Sequence, residues 1–288
     1  GVQTCALPIF LSLPGQLSVM LSAPTRSGKG VGVVIPNLLN WPDSVVVLDK
    51  TVPFAKYREH AAIHWILHAM KIVNARGEYI EANRDYVGFD PSTKVGRDLS
   101  IEHLERADVL VIADTYGVYR GDYEKPGDIA ALERSPKIYG GVTSSEASAI
   151  EGFVSRGGLV IAEFNTFASP TEDATRGRLE ALFGARWTRW VARYWPNLQD
   201  PNEVPKWVGK LYRKVEGREL TFTGGALVFV HEDDDILVLR DGVDLGPAVI
   251  EQQRTRVGAE LDLPQRGGFW FWMDVVHPLD AEVLHEHV

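Results

Sequence analysis

The chain has 288 residues, enough for one large domain or two modest ones around a substantial apolar core. Its formal net charge of −9 argues against a general nucleic-acid binder, which needs a basic face over phosphates, and leaves a local basic patch open. The single cysteine, Cys5, excludes an internal disulfide and leaves the redox compartment undetermined.

Residues 1–9 read "GVQTCALPI", and over all nine positions they resemble the in-frame translation of a common sequencing adapter. They are expected to be an assembly scar, which also removes Cys5 as a nucleophile. The apolar stretch 6–23 is interrupted by Pro8 and Pro14, and no run in the chain is long enough to span a bilayer. Residues 10–49 read as a strand–loop–helix–strand unit: "LSVMLSA", "PTRSGKG", "VGVVIPNLLNW" with Pro36 as a kink, and the β-branched "SVVVLD".

From Thr51 the text changes to an amphipathic helix, "TVPFAKYREHAAIHWILHAMKIV", with Ile63, Ile66, Leu67 and Met70 on one face. His60, His64 and His68 recur on it at i, i+4 and i+8; without a paired carboxylate motif they are expected on a packed or solvated face, and no metal site is expected. "IEHLERA" reads as a short helix and "DVLVIAD" as a buried strand ending at Asp114. Thr143 and Glu146 have capping-box spacing and open a helix with Ala147, Ile150 and Val154 inward, closed by Gly157 and Gly158. "LVIAEF" is the next strand. Ser169-Pro170-Thr171-Glu172 reads as a cap, a first-turn proline and a third-position glutamate, opening a helix that carries Leu179, Leu182 and Phe183 to Gly184. This alternation predicts a parallel sheet with helices on both faces. Beyond Leu220, "ALVFVHEDDDILVLRDG" reads as a hairpin with a solvated acidic turn at 232–235, and "GGFWFWMDVV" as another strand, so the C-terminal part is β-rich.

The loop Ala23-Pro-Thr-Arg-Ser-Gly28-Lys29-Gly30 departs from a strict phosphate-loop pattern: Ala23 stands for the first glycine and Gly30 for the metal-holding hydroxyl. The longer string "APTRSGKGVGVVIPNLLNWPDSVVVLD" resembles the nucleotide-binding segment of type IV secretion coupling proteins, the TraG-like ATPases of conjugative DNA transfer. That resemblance accepts both variants. It implies a hexameric motor at the cytoplasmic face of a bacterial inner membrane, with ATP and Mg as cofactors and secretion-channel components and transferred DNA as partners. It also implies phosphate contacts from Thr25, Arg26, Ser27, Gly28, Lys29 and Gly30. The resemblance stops at Lys50; no acidic pair of the motor follows in order, and "IAEF" lacks the preceding aspartate. ATPase activity of this chain alone is therefore not expected.

Residues 51–288 carry "VLVIADTYGVY", "SPKIYGG" and "GGLVIAEFNTFASPT", and resemble class I glutamine-amidotransferase-like domains of flavodoxin-like fold. The cysteine nucleophile of that group is absent, and no G-x-S-x-G or H-E-x-x-H motif replaces it. Asp114 and Glu163 each close a strand, where doubly wound sheets bind ligands. They are the candidate acid–base pair, with Tyr116, Tyr119, Asn165, Arg176 and Arg193 as ligand-binding candidates for a polar small molecule or sugar. Helix capping by the two carboxylates is the competing reading. Trp190 and Tyr194 are expected near them, on the helix and loop after Arg176. The expected organisation is an adapter-like 1–9, a phosphate-loop fragment 10–50, an α/β domain 51–219 and a β-rich extension 220–288, that is, a chimeric or truncated chain.

Overall fold

Strand and helix signals alternate along the middle of the chain, and the computed structural model describes residues 18–20, 44–51, 60–74, 76–121, 135–246, 251–256, 259, 266–268, 272–281 and 285–287. Its strands are β1 (Ser18–Met20), β2 (Val45–Asp49), β3 (Val87–Asp90), β4 (Val95–Gly96), β5 (Val109–Asp114), β6 (Val118–Tyr119), β7 (Lys137–Tyr139), β8 (Leu159–Ala162), β9 (Ala185–Trp195), β10 (Ala226–His231), β11 (Ile236–Arg240), β12 (Glu251–Arg254), β13 (Arg266–Gly268), β14 (Met273–Pro278) and β15 (His285–His287). The helices are α1 (Ala61–Ala69), α2 (Ile101–Leu104), α3 (Ser144–Ser155), α4 (Asp173–Phe183) and α5 (Lys206–Glu216).

The main sheet has the order β1-β8-β5-β2-β3-β4, parallel throughout except for the edge strand β4. Strand β2, which ends the phosphate-loop segment in sequence, lies inside this sheet between β5 and β3. The sheet therefore draws strands from both sides of Lys50. Every residue of β5 is buried, as expected for a strand covered on both faces. Side-chain alternation divides the core in two. Val47, Val109, Val111, Ala113 and Ile161 pack under Ile63 and Leu67 of α1. Leu48, Leu110, Ile112, Val160 and Ala162 pack under Ala147, Ile150 and Phe153 of α3 and Leu179 of α4.

A second sheet, β11-β10-β9-β14, is antiparallel, with α5 packed on it through Val208 and Leu211 against Trp195, Val228 and Ile236. Two smaller sheets, β13-β12-β15 and β6-β7, complete the described residues. The fold is mixed α/β with a β-rich C-terminal part.

Four local expectations are corrected. Helix α1 stops at Ala69: Lys71 takes a positive φ, the chain turns back, and Val73 bridges to Tyr79, leaving Met70 more than a third exposed. Helix α4 starts at Asp173, not at Pro170. Thr171 is committed elsewhere: its hydroxyl accepts from Val142 N–H at 3.0 Å and its carbonyl accepts from Arg176 at 3.0 Å. Trp190, Arg193 and Tyr194, expected on a helix and loop, lie on the eleven-residue strand Ala185–Trp195, which pairs with β10 on one side and β14 on the other. The acidic turn is not wholly solvated: Glu232 is ion-paired to Arg176 and Arg189 and bonded to Ser169, which ties the β10–β11 hairpin to the start of α4.

Because β2 supplies backbone partners to two neighbours and residues to both core layers, a chain of residues 51–288 alone is expected to lose cooperative unfolding. Circular dichroism melts of the two lengths check this; equal midpoints would contradict it.

Candidate functional site at the carboxyl edge of the sheet

The carboxyl ends of β2, β5 and β8 lie together at the point where the sheet is wound in both directions from β2, the usual place for a ligand in open α/β sheets. Alternation along β2 sends its last residues to opposite faces. Lys50 turns towards α3 and is fully buried. Its Nζ donates to Glu146 Oε2 at 2.6 Å, to the Gly141 carbonyl at 2.8 Å and to Asp98 Oδ1 at 3.1 Å, and lies 4.7 Å from the Tyr139 ring centre. Three acceptors use the three protons of the ammonium. Glu146 is equally engaged. It accepts from Leu99 N–H at 2.9 Å and from Thr143 N–H at 2.8 Å and Oγ1 at 2.9 Å, so the capping box expected at the start of α3 is also the counter-charge of Lys50.

Asp49 turns to the α1 face. Its Oδ1 accepts from Thr51 N–H and Oγ1 at 3.0 and 2.6 Å, and its Oδ2 lies 3.5 Å from Nδ1 of His60, the residue that precedes α1. Strict alternation would send Asp114 to the other face. Between Leu48↔Ile112 and Asp49↔Asp114 the β2–β5 register slips by one residue, and this irregularity brings Asp114 opposite Asp49. Its Oδ2 stands 3.9 Å from His60 Nε2. Burial pushes the imidazole towards neutrality, but the charge of Asp49, then of Asp114 and Glu163, outweighs it and holds the pKa up at about 9.

The structure places the sequence candidates unequally. Asp114 and Glu163 are both buried. Asp114 Oδ1 accepts from Tyr116 N–H at 2.6 Å and from Asn165 Nδ2 at 3.4 Å. Asn165, at φ 63, also receives Thr115 Oγ1 on its carbonyl at 2.7 Å and gives its N–H to Asp274 of β14 at 2.8 Å. Tyr116 and Tyr119 follow on the same edge, ring centres 5.0 Å apart. Arg176 and Arg193 do not join them. Arg176 is buried among the carbonyls of Phe167 and Thr171, Asp173 and Glu232, with Trp187 under its guanidinium. Arg193 lies over Trp195 and reaches Glu203 at 3.3 Å. Trp190 packs on His231, and Tyr194 bonds Asp241 at 2.6 Å. Thr25, Arg26, Ser27, Gly28, Lys29 and Gly30 lie outside the described residues.

Of the three spaced histidines, His60 and His64 are buried and His68 is exposed. Among the described residues, no group of three or more His, Cys, Asp or Glu is arranged to hold a metal ion, and no helix is long and apolar enough to cross a membrane. Sequence reasoning missed Asp49, Lys50, His60, Glu146 and Asp274. The strand-end rule that found Asp114 applies equally to Asp49, which closes "SVVVLD", and to Lys50 just after it; the other three are brought in by tertiary contacts.

Lys50→Met is expected to cost about 3 kcal/mol in urea unfolding, since it leaves the buried Glu146 carboxylate without its cation. His60 gives a pH-linked prediction. Its folded pKa lies above the unfolded value near 6.5, so its stabilisation is complete below about pH 6.5 and is lost as pH rises through about 9. Unfolding free energy should fall over that window by a few kcal/mol at most, and His60→Asn should remove that part of the slope.

Comparison with known proteins gives a short N-terminal match. Residues 6–56 match the family described as Type IV secretory system Conjugative DNA transfer. The match begins inside the stretch expected to be adapter and runs past Lys50. Two Escherichia coli proteins named Conjugal transfer protein TraG are each 52% identical over 40 residues, 14% of this chain and 6% of theirs. The chain thus spans only a small fraction of the length of these relatives. No solved structure matches it.

Proposed function

We propose that this chain binds a nucleoside triphosphate at the loop following β1, as a segment of conjugative-transfer ATPase ancestry built into a larger α/β sheet. The observation that carries this reading is a register. Strand β1 pairs in parallel with β8, with Met20 opposite Ala162. The chain therefore leaves β1 towards the loop at the same edge, and one strand away, from where it leaves β8 into Glu163. A glycine–lysine loop offers backbone N–H groups and an ammonium to phosphates, and a neighbouring strand end is where an acid can serve the accompanying Mg²⁺. Mg²⁺ takes one or two carboxylates and completes its shell with phosphate oxygens and water, so Glu163 as an oxygen donor fits without a preformed protein cage. Because Gly30 offers no hydroxyl, Glu163 takes a larger share of that role than in a strict phosphate loop.

In this reading Thr25, Arg26, Ser27, Gly28 and Gly30 surround the phosphates and Lys29 reaches the terminal ones. Transferred DNA and secretion-channel components are the proposed partners, by ancestry of the N-terminal segment. Turnover by the chain alone is not proposed, since it lacks the ordered acids and the neighbour's arginine that phosphoryl transfer uses. A fusion origin is part of the proposal: a coupling-protein segment joined to an amidotransferase-like module of flavodoxin-like type that lacks its cysteine.

A second reading is favoured by the protonated His60 held between Asp49 and Asp114. A carboxylate pair beside an imidazolium suits binding of a sugar or other polar ligand, or acid–base hydrolysis with Asp114 and Glu163 as the pair.

Lys29→Ala is expected to weaken binding of a fluorescent ATP analogue at least tenfold, and Glu163→Gln to remove mainly its Mg²⁺ dependence. Analogue binding that is indifferent to Lys29 would overturn the nucleotide reading and leave the second.

A further inference from the structure

We infer that the Lys50 side chain becomes joined to Asp98 by an amide bond, with Glu146 as the proton relay. The chain thereby makes its own covalent cross-link, from the end of β2 to the segment before α2. The step uses only groups of this chain and is independent of nucleotide binding.

Three observations separate this centre from an ordinary ion pair. First, one amine faces two carboxylates in different surroundings. Lys50 and Glu146 are fully buried, whereas the Asp98 side chain is 49% exposed. Nζ stands 2.6 Å from Glu146 Oε2 and 3.1 Å from Asp98 Oδ1. The inner carboxylate is placed to exchange protons with the amine, the outer one to offer its Cγ. The open side of Asp98 gives the released water a way out.

Second, the reacting groups are held before reaction. Glu146 is fixed by Leu99 N–H and by Thr143 N–H and Oγ1. The Gly141 carbonyl, 2.8 Å away, aims Nζ. Asp98 directly precedes Leu99, so its backbone is anchored to the relay itself. Groups held in this way reach effective concentrations of about 10⁵ M or more, which offsets the unfavourable loss of water from an acid and an amine.

Third, an aromatic ring covers the centre. The Tyr139 ring centre lies 4.7 Å from Nζ, and its hydroxyl donates to the Arg97 carbonyl at 2.7 Å. Gly96 makes room for it: a Cβ there would stand 2.2 Å from the ring. Burial, then the charges of Glu146 and Asp98, hold the phenol well above its usual range, so it does not compete as a base. Under such cover, low polarity narrows the gap between the ion pair and the neutral amine–acid pair from which attack begins.

The step balances within the chain. One ammonium proton passes by way of Glu146 to an Asp98 oxygen, leaving an amine and a carboxylic acid. The Nζ lone pair attacks Cγ. A second Nζ proton, relayed by the same carboxylate, joins that oxygen, and the Cγ–O bond breaks to release water. The remaining amide N–H keeps the Gly141 carbonyl supplied.

The test is the intact mass of the full chain, purified folded and then denatured. It should lie below the sequence mass by one water, and a protease digest should contain a branched peptide joining Lys50 to Asp98. Asp98→Asn should lose ammonia in place of water, because its amide nitrogen is then the leaving group, and Asp98→Ala should keep its full mass. Glu146→Gln, shown to be folded by circular dichroism, should form the bond at least about a hundredfold more slowly. An unsubstituted chain at full mass overturns the cross-link, as does a lost water that maps elsewhere, such as to a succinimide at Asp241-Gly242. Reaction at an unchanged rate in Glu146→Gln overturns the relay.

Discussion

A single buried ammonium organises the carboxyl edge of this sheet. Placing Lys50 out of water costs several kcal/mol, and only a complete set of acceptors makes that position tenable. Glu146, the Gly141 carbonyl and Asp98 provide that set. Each acceptor belongs to a different piece of chain: the start of α3, the glycine turn before it, and the segment leading into α2. The ammonium thus links the end of β2 to three connections, which Leu99 N–H to Glu146 and Tyr139 Oη to the Arg97 carbonyl also hold together. Its value lies in specifying this arrangement, since an apolar pair of similar volume can be as stable.

With Lys50 committed to one face, Asp49 is committed to the other. A strand's period of two gives adjacent residues opposite directions, so the same dipeptide builds a closed ion pair beneath α3 and an acidic wall beside α1. The two sites differ in character. Around Lys50 every hydrogen-bonding group of the ammonium is satisfied at short range, as in a structural centre. Around His60 the charges face one another at 3.5 and 3.9 Å without closing into hydrogen bonds. The first holds the edge in place; in the second, the ring nitrogens of His60 make ion pairs without hydrogen bonds.

The position of β2 also bears on the relation between the two segments that differ so much in wording. A strand in the interior of a parallel sheet contributes to both helix layers and to two ladders, and cannot be detached as an appendage. Residues on both sides of Lys50 share one sheet and one core.

Much of the frame was legible beforehand. Runs such as "SVVVLD", "DVLVIAD" and "LVIAEF" are strands because β-branched and apolar residues buried on both faces suit little else, and the capping box at Thr143 and Glu146 is local chemistry that needs only four residues. Asp114 and Glu163 were found by a rule about strand ends. The start of α4 was misread because Thr171 is claimed by Val142 and Arg176 by Glu232, and Trp190, Arg193 and Tyr194 were misplaced because Ala185–Trp195 is made a strand by pairing on both sides that no local pattern shows.

What the sequence determined by itself was the buried strands β2, β5 and β8 and the presence of carboxylates at their ends, because those follow from residue type and short-range periodicity. Tertiary structure alone decided which carboxylates meet. The one-residue slip between β2 and β5 turns Asp114 towards Asp49, and the start of α1 brings His60 between them. Register and helix placement depend on contacts between residues tens of positions apart, and no local pattern encodes them.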